Sequence, residues 1–101
     1  MLNDIFHTPD ELGVLLLPVF EKYNVKRAVL FGSYAKGNPG ENSDIDLLVD
    51  SGLRGLKFIS LYEDINQLIG CDVDLFDITQ IEKNSRIENE IAATGVIIHE
   101  K

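Results

Sequence analysis

Apolar positions along the chain follow two periods. Leu12, Leu15, Leu16, Val19 and Phe20 recur at helical spacing. Thr8-Pro9-Asp10-Glu11 ahead of them reads as a helix start: Thr8 caps, Pro9 suits the first helical position and Glu11 completes a capping box. Pro18 has no N–H to donate, so a kink or restart is expected there, and the helix should end near Tyr23-Asn24. Arg27 to Phe31 is a short apolar run that stops at Gly32-Ser33, which predicts a buried strand. Asn38, Pro39, Gly40, Glu41 and Asn42 have loop composition. Ser43 to Asp50 alternates as a second strand, with Asp44 and Asp46 on one face and Ile45 and Leu47 on the other. From Gly55 to Ile69, helical spacing puts Leu56, Ile59, Tyr62, Ile65, Leu68 and Ile69 on one apolar stripe. Gly70 fits the residue just past its end. Asp72 to Asp77 reads as a third strand with Asp72 and Asp74 on one face. Helical spacing returns from Lys83 to Ala93, Gly95 closes it, and Val96 to His99 makes a last strand. With a short helical segment at Ser33 to Lys36, the order is α-β-(short α)-β-α-β-α-β. That order implies an α+β fold: one sheet of about four strands with helices packed on it.

Composition narrows the class. The 101 residues suit a single domain spanning 1–101 at roughly 100–200 residues per domain. Hydrophobic and charged shares of 45% and 26% are ordinary for a globular chain and disfavour wholesale disorder. The balance of 9 basic and 17 acidic residues gives −8. A field of that sign repels phosphate backbones, which disfavours general nucleic-acid binding. No apolar run approaches the roughly 20 residues of a membrane span. The start, MLNDIFHTPDEL, lacks the basic and apolar segments of a secretion signal. The single cysteine, Cys71, has no internal disulfide partner, and a cytoplasmic location is expected.

Three features carry candidate chemistry. Gly32-Ser33 stands where a buried strand gives way to a short helix. Glycine permits a tight turn and close approach of another group, and the following N–H groups lack helical partners and face any anion. Alone, the pair also fits an ordinary turn. Asp44-Ile45-Asp46 puts two carboxylates on one strand face, about 6.6 Å apart at roughly 3.3 Å per residue. Such side chains can converge on metal ions about 3.5–4 Å apart, the spacing of two-metal phosphoryl transfer. Alone, they also fit an acid-decorated strand edge. A calcium loop fits poorly, because Leu48 and Val49 occupy positions that need an oxygen ligand and a glycine. Asp74, between Val73 and Leu75, should face away from the core and join Asp44 and Asp46 if the two strands are neighbours. Asp72 competes for that role, but Asp74 lies further inside the strand. Gly-Ser, ten residues and Asp-x-Asp would arise by chance in about one chain in a thousand of this length.

Gly32-Ser33-Tyr34-Ala35-Lys36-Gly37, followed by Ser43-Asp44-Ile45-Asp46-Leu47-Leu48-Val49, resembles the polymerase-β-type nucleotidyltransferase superfamily. Val73-Asp74-Leu75 and the short length make the chain most similar to the minimal nucleotidyltransferases (MNT), many of which are antitoxins paired with HEPN-domain toxins. The resemblance runs from about Leu12 to the Val96 strand and implies a mixed sheet of the polymerase-β palm type. It implies that Gly32 and Ser33 bind phosphate, that Asp44 and Asp46 bind metal, and that Asp74 is the third carboxylate. Where the family often has Arg, this chain has Lys36, which lacks bidentate geometry. Tyr34 and Lys36 are therefore left outside the catalytic set.

The expected reaction is Mg2+-dependent transfer of AMP from ATP, with two Mg2+ on the aspartates and the β/γ phosphates over Gly32-Ser33. A polymerase would need basic surface, and a small-molecule acceptor usually needs an added domain. A hydroxyl on a partner protein needs neither. The resemblance points to a HEPN-type toxin as that partner, in a hetero-oligomer with this chain acting as antitoxin. Two rival readings are a toxin-neutralising binding module with a vestigial nucleotide site and a small-molecule nucleotidyltransferase. Among other residues, His7 and His99 suggest surface or terminal roles, Arg54 and Lys57 a solvated helix end, and Tyr62 a core or partner contact. Cys71 suggests no reactive role, and Arg86 can pair with Glu82 or Glu90.

Overall fold

The computed structural model describes residues 8–32, 45–70 and 73–101. The expected short helix at 33–36, the loop at 38–42, and Ser33, Asp44, Cys71 and Asp72 lie outside the described residues.

Helix α1 (Pro9–Lys22) begins with the expected capping box: Glu11 N donates to Thr8 Oγ1 at 3.1 Å and Thr8 N to Glu11 Oε1 at 2.8 Å. No restart occurs at Pro18, which sits inside one continuous helix. The carbonyl that loses its donor there belongs to Val14, which is 76% exposed, so water can take that bond. The chain turns at Asn24, whose φ of +58° ends the helix where expected. Strands β1 (Arg27–Phe31) and β2 (Ile45–Asp50) pair antiparallel. Helix α2 (Leu56–Ile69), stopped by left-handed Gly70, leads to β3 (Val73–Asp77), which lies parallel to β2. A 3-10 turn (Ile78–Gln80) and helix α3 (Arg86–Thr94) precede β4 (Val96–Glu100), which pairs antiparallel with β1. The sheet is mixed, in the order β3-β2-β1-β4.

Alternation along the strands divides the sheet into two faces. Ala28, Leu30, Ile45, Leu47, Val49 and Val73 point to one face and form the core with residues of α1 and α2, among them Leu12, Leu16, Phe20, Leu61 and Ile65. Val29, Phe31, Asp46, Leu48, Asp74 and Phe76 alternate to the other face. There the Phe31 and Phe76 rings lie 6.1 Å apart. The end of α3 packs on this face, since a Cβ on Gly95 would sit 3.0 Å from Val29 Cγ1.

The core face of α2 differs from the expected stripe. Phe58, Leu61, Ile65 and Ile69 pack inward, whereas Leu56, Ile59, Tyr62 and Leu68 are exposed. Steps of three residues fall short of a 3.6-residue turn and drift around the helix, so Leu56 and Ile65 end on opposite sides. His99 also departs from its expected surface role. Its strand borders Ala28, its ring packs 4.9 Å from Phe20, and its Nε2 contacts the Val25 carbonyl at 2.9 Å. Arg86 pairs with Glu90 at 3.7 Å. Helix α3 starts later than expected because Ser85 caps it, accepting from Glu88 N. No helix among the described residues is long and apolar enough to cross a membrane.

Candidate active site

Two of the three expected carboxylates fall within the described residues, and the sheet brings them together. Asp46 of β2 and Asp74 of β3 are direct partners in the parallel register. Their backbones are therefore about 4.8 Å apart laterally, and both side chains point to the face away from the core. Asp46 is half-buried and Asp74 exposed. Two carboxylates at about this spacing repel by about 1 kcal/mol in water and more where water is excluded. A divalent cation reverses that repulsion, so the donor set fits a hard, oxygen-preferring ion. Among the described residues no group of three or more His, Cys, Asp or Glu side chains gathers in this way.

Gly32 lies at the end of β1, one residue beyond Phe31, which is the register partner of Asp46. Its φ is +80°, and a Cβ built there would collide with Asp46 Oδ2. Glycine at this position thus allows the turn and leaves room for the carboxylate. Gly32→Ala should lower stability by about 1–3 kcal/mol through backbone strain and push the Asp46 carboxylate aside. Thermal melting checks the first effect, and loss of divalent-cation binding the second. The Gly32 N–H does not face an anion, because it donates to Thr94 Oγ1 at 3.0 Å.

A buried carboxylate that sequence reading did not single out holds β2 and β3 together beyond the pair. Asp77, 3% exposed, accepts from Ser51 N (3.2 Å), Ser51 Oγ (2.6 Å), Thr79 N (3.1 Å) and Thr79 Oγ1 (2.8 Å). Burial pushes its carboxyl up, but the hydrogen bonds from Ser51 and Thr79 outweigh burial and hold it below the usual carboxylate range. Ser51 Oγ accepts in turn from Leu53 N at 3.1 Å, which shapes the exit from β2. On the outer edge of β3, Val73 N donates to Asn66 Oδ1 and Asp77 N to Gln80 Oε1. Side-chain amides thus take two outward N–H groups of this edge strand. A second polar cluster joins α1 to α2 on the core side: Tyr23 Oη and Lys22 Nζ donate to Asp64 Oδ2 at 2.7 and 3.1 Å. The bond from Tyr23, then that from Lys22, holds the Asp64 carboxyl below its ordinary range.

Comparison with known proteins places this geometry in context. A family model described as "Polymerase beta, Nucleotidyltransferase" matches residues 16–101. A candidate protein adenylyltransferase of Methanocaldococcus jannaschii is 35% identical over 85 residues, covering 80% of this chain and 91% of that protein. The protein adenylyltransferase MntA of Thermococcus cleftensis is 44% identical over 57 residues, covering 54% of this chain and 58% of its own length. Among solved structures, a toxin-antitoxin with AMP-PNP superposes with a TM-score of 0.73 at 22% identity, covering 88% of this chain and 73% of that one. A complex of tri-AMPylated Shewanella oneidensis HEPN toxin with MNT antitoxin gives 0.68 at 18% identity, covering 92% and 73%. At those identities the structural likeness shows a shared fold.

Proposed function

The chain belongs to the polymerase-beta nucleotidyltransferase family, and from that premise we propose that it transfers AMP from ATP to a hydroxyl of a partner protein. The observation that carries the proposal is the side-by-side register of Asp46 and Asp74 next to Gly32. Asp44, Asp46 and Asp74 would hold two Mg2+, and the turn at Gly32 and Ser33 would receive the β/γ phosphates. Mg2+ bound there would supply Lewis acidity, lowering the pKa of the acceptor hydroxyl and neutralising charge on the departing pyrophosphate.

The chain's own residues then have defined tasks. Gly32 leaves space for Asp46 at the mouth of the turn. Asp74, exposed at the sheet edge, stands where an acceptor can approach and can take the hydroxyl proton. The acceptor oxygen forms its bond to the α-phosphorus as the bond from that phosphorus to the bridging oxygen breaks. Pyrophosphate leaves, and AMP stays esterified to the partner. The partner is a HEPN-type toxin and the reaction an antitoxin activity. Support comes from the adenylyltransferase relatives and from the fold shared with MNT–HEPN complexes. A partner that brings its own surface suits a chain of net charge −8, which repels a nucleic-acid acceptor.

Mass spectrometry of the co-expressed partner, after incubation with ATP and Mg2+, tests the proposal. The expected result is a gain of one or more AMP units that is absent in the Asp44→Asn, Asp46→Asn double variant. If Asp44→Asn neutralises the partner as well as the unaltered chain does, neutralisation is by docking and the enzymatic account of the antitoxin role fails.

A further inference from the structure

Gly32 is tied to a helix distant in sequence. Its buried N–H donates to Thr94 Oγ1 at 3.0 Å, and the same hydroxyl donates to the Glu90 carbonyl at 2.8 Å. The second bond orients the first: with its proton committed to Glu90, the Thr94 oxygen presents a lone pair to Gly32. Thr94 ends α3, and the next residue fixes that end against the sheet. A Cβ on Gly95 would lie 2.5 Å from the Ile91 carbonyl oxygen and 3.0 Å from Val29 Cγ1, so only glycine lets α3 come this close to β1. The hydroxyl therefore stands on a rigid support.

We propose that Thr94 is a positioning residue for nucleotide binding: its hydroxyl fixes Gly32 so that the turn opens beneath the Asp46 carboxylate. The inference rests on the nucleotide use proposed above and assigns Thr94 no contact with the reacting atoms. Gly32 touches Asp46 Oδ2 on its open side and Thr94 on its N–H side. A shift at Thr94 is therefore felt at the carboxylate through a single residue. Valine matches threonine in shape but leaves the buried Gly32 N–H without an acceptor. Serine keeps both hydrogen bonds.

Titration calorimetry of ATP with Mg2+ into the chain, with hydrogen exchange at the Gly32 amide, tests this. Thr94→Val should weaken ATP binding about tenfold and speed Gly32 exchange, the cost of one lost buried hydrogen bond, while Thr94→Ser stays within about twofold of the unaltered chain. Unchanged ATP affinity in Thr94→Val overturns the proposal, as does Thr94→Ser binding as weakly as Thr94→Val. If the unaltered chain binds no ATP, the nucleotide reading itself falls, and this role with it. Failure of the Thr94 variants alone leaves that reading standing.

Discussion

Asp46→Asn is expected to slow AMP transfer by about a thousandfold, the scale of removing one preorganised charge-stabilising group. The fold should not suffer. Asparagine has nearly the same shape, and Asp46 faces Asp74 across the parallel ladder. Removing one of two like charges relieves about 1 kcal/mol of repulsion when no cation is bound. The variant should keep its fold and melt near the temperature of the unaltered chain, because the asparagine side-chain oxygen still accepts hydrogen bonds. Turnover measured beside thermal melting separates the two effects. A large loss of activity with a large loss of stability would assign Asp46 a structural role.

Asp77 is expected to behave in the opposite way. Asp77→Ala strands the donors of buried Ser51 and removes the acceptor that Thr79 meets at the surface. Losing hydrogen bonds to a charged group and leaving donors unpaired costs about 3 kcal/mol or more, roughly a 10–20 °C fall in melting temperature for a domain this size. The same carboxylate makes stability depend on pH. Its folded pKa lies below the ordinary value, so the unfolded chain takes up the proton first. Its contribution is fully present above about pH 4, near the unfolded pKa, and is lost as pH falls through the lower folded value. Urea midpoints should fall more steeply on acidification for the unaltered chain than for Asp77→Asn.

Residues whose roles are local could be read from sequence. The capping box at Thr8 and Glu11, the β1 run ending at Gly32, and Gly70 closing α2 each depend on neighbours within a few positions. The inward face of α2 is ambiguous in sequence because both Leu56 and Phe58 begin apolar series, and only packing of Leu61 and Ile65 in the core separates them. Asp77, Ser51 and Thr94 were illegible for a different reason. Their partners lie 26 and 62 residues away, and an ordinary Ser, Thr or Asp carries no local sign of such a bond. The partial burial of His99 follows from β4 pairing beside Ala28, which its local sequence does not show. The meeting of Asp46 and Asp74 is intermediate. Alternation puts each on the face away from the core, and the resemblance implies that Asp74 is the third carboxylate, but the parallel pairing of β2 with β3 that makes them adjacent is visible only in the structure.

The central claim is that Asp46 and Asp74 share a divalent cation beside a nucleotide. Anomalous scattering from crystals grown with Mn2+ and a non-hydrolysable ATP analogue tests it most directly. The account predicts a manganese peak coordinated by carboxylate oxygens of both Asp46 and Asp74, with the analogue's phosphates completing its shell. Manganese bound elsewhere, or touching neither aspartate while the analogue occupies another surface, would contradict it.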